Sequence, residues 1–122
     1  MSDTLLLIGE ADSATLGPLA RDLLAKGFAL CQITSGQAAQ WELSAQTPDL
    51  IVLDHPWPGD LGPELLAAWM AEYPCLILCD EAHLEAAMAA LRLGAAEILV
   101  RPIDLGELVA AVRRVIDHAL LY

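Results

Sequence analysis

Basic residues are scarce in this chain: six lysines and arginines stand against seventeen aspartates and glutamates, for a formal net charge of −11. A nucleic-acid-binding surface works by displacing counterions with clustered positive charge, and nothing here supplies such a cluster. Lys26 is the one lysine. Aromatic residues make up 5% of a chain that is 57% hydrophobic, so the core is built from Leu, Ala, Val and Ile. Cys31, Cys75 and Cys79 match no metal-ligand or redox spacing and are expected as free, apolar-packed thiols in a reducing compartment. Cys75 and Cys79 fall four residues apart on one expected strand, about 13 Å end to end, too far to bond to each other. No uncharged apolar run approaches a membrane span, and the N-terminus lacks a secretion signal's basic start and apolar segment. A cytoplasmic location is expected.

What is present is a set of short apolar runs, each ending abruptly in polar residues. Leu50-Ile51-Val52-Leu53 runs into Asp54 and then into a loop of prolines and glycines through Gly62. Leu5-Leu6-Leu7-Ile8 runs into Gly9-Glu10, Cys75-Leu76-Ile77-Leu78-Cys79 into Asp80, and Ile98-Leu99-Val100 into Arg101-Pro102. Runs of this length bounded by turn residues read as strands buried on both faces. Phe28 to Thr34 is more mixed, as an edge strand would be. Helical spacing lies between the strands: from near Thr15–Gly17 to a Gly27 cap, Ser35 to Ala45, Pro63 to Met70, Ala82 to Leu93 closing at Gly94, and Asp104 to Leu121.

Five strands alternating with five helices over 122 residues imply one domain, residues 1–122. They demand a parallel sheet covered on both faces. Right-handed crossovers bring the C-terminal strand tips to one edge, where Glu10, Asp54, Cys79 with Asp80, and Arg101 converge.

The order and spacing of Pro48-Asp49-Leu50-Ile51-Val52-Leu53-Asp54, Pro58-Gly59, Gly62, Gly94-Ala95, Arg101-Pro102 and Asp104-Leu105 resemble the receiver domain of bacterial two-component response regulators, across essentially the whole chain. The resemblance implies a flavodoxin-like α/β three-layer sandwich with strand order 2-1-3-4-5. It implies that Asp54 is a phosphoacceptor, with a histidine kinase or phosphotransfer protein as donor. The chemistry needs a carboxylate nucleophile, a divalent cation and a lysine. Here Gly9 stands where one carboxylate is expected, leaving Glu10, Asp54 and the Pro56 backbone carbonyl as ligands of a weakened Mg²⁺ site. Asp12 lies past the strand tip and is a poor substitute. Arg101 takes the lysine position, Cys79 the Ser/Thr position and Ile98 the position of a switching aromatic residue.

The favoured expectation is a signalling receiver with Asp54 as phosphoryl acceptor in a degenerate site. The alternative is a phosphorylation-independent pseudo-receiver, a protein-interaction module closed by an Asp54–Arg101 contact. A small aspartate-based phosphatase is disfavoured because no general acid or base has a recognisable place beside Asp54. His55 is expected to pack or hydrogen-bond, and Trp57 either anchors a partner or fills its own loop's core. A fused or separate output domain fits the resemblance. An apolar excess at Ala119, Leu120 and Leu121 fits a homodimer or such an output domain.

Overall fold

The computed structural model describes residues 3–120 as five strands alternating with five α-helices: β1 (Thr4–Ile8), α1 (Leu16–Ala25), β2 (Ala29–Ile33), α2 (Gly36–Ala45), β3 (Leu50–Asp54), α3 (Pro63–Glu72), β4 (Cys75–Cys79), α4 (Leu84–Leu93), β5 (Glu97–Val100) and α5 (Leu105–Leu120). All pairings are parallel and the sheet order is β2-β1-β3-β4-β5, the flavodoxin-like arrangement expected from the sequence.

Strand alternation sorts the apolar runs into two cores. Leu5, Leu7, Leu50, Val52, Leu76 and Leu78 face α1 and α5, whose Leu16, Leu23, Leu108 and Val112 complete the first core. Leu6, Ile8, Ile51, Leu53, Ile77 and Cys79 face the opposite way, against Ala39 of α2, Trp69 of α3 and Ala87 of α4. Every residue of β3 and β4 is buried, which is why those runs show no polar alternation. Each fully buried Leu, Ile or Val contributes roughly 2 kcal/mol of hydrophobic stabilisation. β2, at the sheet edge, is the mixed strand, and none of its residues is fully buried.

The helix ends follow local chemistry. Ser35 caps α2 by accepting from the Ala38 amide at 3.1 Å. Asp104 lies outside α5 and caps it, accepting from the Glu107 amide at 3.1 Å, so that helix begins one residue later than its pattern suggests. The expected helix from Ala82 is likewise divided: Glu81–His83 form a 3₁₀ turn that runs directly into α4 at Leu84. Gly27 and Gly94 carry positive φ, 97° and 119°, where the chain leaves α1 and α4, conformations that suit glycine. Among the described residues no helix is long and apolar enough to cross a membrane. Ala119 is exposed; the side chains of Leu120 and Leu121 lie outside the described residues.

Candidate functional site

Asp54 ends a strand of four apolar residues and continues the alternation that points Leu50 and Val52 toward α1. Its carboxylate is therefore carried to the sheet edge but stays inside, at 2% exposure, the one buried charged residue among those described. A buried carboxylate requires partners, and both oxygens have them. Oδ1 accepts from a terminal nitrogen of Arg101, and Oδ2 accepts from the Ser13 hydroxyl at 2.6 Å. Ser13 also accepts from the Leu16 amide at 3.2 Å, so the same hydroxyl caps the start of α1.

Arg101, one residue past β5, reaches three acceptors from different places along the chain. One terminal nitrogen meets Asp54, the other donates to the backbone carbonyl of His55, and Nε donates to Asp80 Oδ1 at 2.8 Å. The planar fork of arginine suits this three-point contact, which a lysine ammonium could not reproduce in the same geometry. The Asp80 contact raises the Arg101 pKa, and the same bond lowers that of Asp80. The second Asp80 oxygen faces His83 Nδ1 at 4.0 Å. His55 stacks edge-on against Trp57, with ring centroids 4.5 Å apart, and lies 5.1 Å from the His83 ring. Burial, followed by the neighbouring His83 and Arg101, lowers the His55 pKa, and its buried Nδ1 finds no hydrogen-bond partner among the described residues.

A cavity of about 380 Å³ opens over these groups, walled by Glu10, Asp12, Asp54, His55, Asp80 and Arg101 among others. The sequence thus identified Glu10, Asp54 and Arg101 as neighbours, and they share this cavity. Pro56 lines it too, but the carbonyl engaged by a cation is that of His55. Asp12, set aside as lying past the strand tip, is on the wall. Cys79 is not. It is fully buried in the second core, and burial raises its thiol pKa. Ile98 is half-buried against the same core, as is Trp57, which fills space beneath its own loop.

One participant, Ser13, was missed in the sequence, and one contact of another, Asp80, was not foreseen. Ser13 carries a faint signal, as a hydroxyl residue three before the first helical leucine. Asp80 was expected at this edge beside Cys79, but its bond to Arg101 was not.

As arranged, these residues do not fit a hydrated divalent cation. Both Asp54 oxygens and the His55 carbonyl are engaged by protein donors. Position 9 supplies no carboxylate, and a Cβ there would lie 3.0 Å from Leu16 Cδ2 and 3.1 Å from Asp54 Cβ, so those side chains would have to give way. No group of three or more His, Cys, Asp or Glu side chains among the described residues is placed to hold a metal.

Comparison with known proteins gives one consistent result. The family model described as "Response regulator receiver domain" matches residues 7–113. The chain is 33% identical over 114 residues to the DNA-binding transcriptional regulator NtrC of Klebsiella pneumoniae, a match covering 91% of this chain and 24% of that protein. It is 32% identical over 111 residues to the transcriptional regulatory protein PrrA of Mycobacterium tuberculosis, covering 88% of this chain and 48% of that one. The chain thus spans between a quarter and a half of these relatives' lengths. Among solved structures, full-length FixJ from B. japonicum superposes with a TM-score of 0.84 at 24% identity, over 98% of this chain and 60% of FixJ. The receiver domain of the TMAO respiratory system response regulator TorR gives 0.83 at 21%, over 95% of this chain and 98% of that one. At those identities the structures speak for the fold.

Proposed function

The chain belongs to the response regulator receiver domain family, and from that premise we propose that it signals through protein association, with Asp54 held by Arg101 in place of a phosphoryl group. Receiver domains serve two-component signal transduction, and they typically bind Mg²⁺ where they are phosphorylated. The observation that carries the narrower reading is the three-point contact of Arg101 with Asp54, the His55 carbonyl and Asp80.

Phosphoryl transfer needs a carboxylate oxygen free to approach phosphorus in line, with cationic charge spread over the transferring oxygens. Here one oxygen faces a guanidinium and the other a hydroxyl donor. Attack would require Arg101 to release Asp54, leaving a buried carboxylate with the Ser13 hydroxyl but no cationic partner while the phosphoryl group arrives. Arg101 instead supplies to Asp54 the positive partner that a bound cation would provide, so the tips of β3, β4 and β5 are tied together without modification.

The partners on this reading are a histidine kinase or phosphotransfer protein recognised by surface, an output domain fused or separate, or a second copy of the chain. The compartment is the cytoplasm. A second reading, phosphorylation at Asp54 with Arg101 in the lysine's place, is favoured by the cavity that reaches Asp54.

Incubation with acetyl phosphate and Mg²⁺, followed by intact mass measurement, separates the two. The expected result is an unmodified chain. An added phosphoryl mass that disappears in D54A would establish the second reading instead.

A further inference from the structure

We propose that Arg101 is a built-in substitute for the divalent cation, and that its guanidinium keeps Mg²⁺ out of the strand-tip site. This rests on the reading of Asp54 as held by Arg101, and it concerns why that site rejects a metal.

The acceptors of Arg101 are two carboxylate oxygens and one backbone carbonyl, drawn from the tip of β3, the loop after it and the loop after β4. That is the oxygen chemistry a hard divalent cation selects. The guanidinium meets the same oxygens with directed N–H donors, and it arrives already attached to the fold. A metal ion bonded to Asp54 Oδ1 would share that oxygen with the guanidinium. Like charges held that close in a partly desolvated site repel each other strongly.

The rest of the cavity cannot compensate for this repulsion. The adjoining tip of β1 offers Gly9, where even a Cβ crowds Leu16 and Asp54. Glu10 and Asp12 are on the wall, but neither is bonded to Asp54 or Arg101. Asp80 holds Nε rather than a terminal nitrogen, so displacing the two terminal nitrogens still leaves the positive group tethered at the site. The oxygens that would attract a cation are thus already engaged by the protein's own guanidinium.

The decisive substitution is R101K, which keeps one positive charge but cannot span three acceptors; R101A removes the charge altogether. The probe is Mn²⁺, whose free-ion electron paramagnetic resonance signal is lost on binding, titrated into the full chain at physiological salt to suppress diffuse binding to an acidic surface. Wild type is expected to bind no Mn²⁺ stoichiometrically in the low millimolar range. R101K, or R101A if it folds, is expected to gain one site at least about tenfold tighter, and D54N in the same background is expected to remove it.

A stoichiometric site in wild type with the affinity of R101K overturns the inference. So does the absence of a site in both Arg101 variants, or a gained site that survives D54N. The acetyl phosphate reaction on the same samples keeps the two proposals apart. An Asp54 adduct on wild type that binds no Mn²⁺ refutes the association reading alone, and a wild-type metal site without an adduct refutes this inference alone.

Discussion

The two ends of β3 carry aspartates of opposite character. Asp49, just before the strand, is exposed, and its carboxylate accepts only from the Thr4 amide at 2.7 Å, while its own amide donates to the Thr4 carbonyl at 2.8 Å. Asp54, at the far end, is buried and faces a guanidinium and a hydroxyl. The first is a stitch between neighbouring chain segments, for which water could substitute. The second has no water to fall back on, so its partners decide whether the fold tolerates it. Four apolar residues, Leu50 to Leu53, separate an ornament of the sheet's entry from the group that organises its exit.

That contrast is easiest to break from the Arg101 side. R101A is expected to destabilise the domain by about 3–5 kcal/mol in urea unfolding, because it strands a buried carboxylate. Adding D54N to R101A should recover part of the loss; full additivity of the two substitutions would mean that Asp54 and Arg101 are not coupled. S13A comes next. It removes both a donor to Asp54 and the cap of α1, for an expected cost of about 1–2 kcal/mol by the same measurement. D49N should cost less than about 1 kcal/mol, since its amide partner is exposed; a loss matching S13A would erase the distinction between the two strand ends.

The smallest effect is expected in pH dependence. The His55 pKa is lowered in the fold, so its contribution to stability is present above its ordinary value of 6.5 and is lost as pH falls through the folded-state value. H55N should flatten the decline of stability on the acidic side of 6.5, measured as the urea midpoint at a series of pH values.

The layered fold was legible because β3 and β4 are buried on both faces, and apart from Asp54 at the tip of β3 their residues are apolar. Glu10, Asp54 and Arg101 were legible as neighbours because parallel strands put their C-terminal tips on one edge. What lies one step further was not. The Ser13 hydroxyl reaches Asp54 across 41 residues of chain, and the Asp80–Arg101 bond spans 21. Such contacts leave no periodicity, since they depend on rotamers and on how closely loops approach. Cys79 shows the reverse limit: its position at a strand tip was readable, but the alternation that turns its thiol into the second core decides what it can touch. The 3₁₀ turn before α4 hid for a related reason, because the three residues Glu81-Ala82-His83 are too few to show a period distinct from the helix that follows.

One contact on the far side of the loop after Asp54 has a kinetic meaning. Asp60 caps α2 from a distance: its Oδ1 accepts from the Gly36 amide at 2.7 Å and its Oδ2 from the Gln37 amide at 3.0 Å, which lowers the Asp60 pKa. Amides in the first turn of a helix ordinarily exchange their hydrogens freely with solvent. Exchange at these two amides requires the Asp60 contacts to break, so their rates time the release of α2 by the loop that follows Asp54.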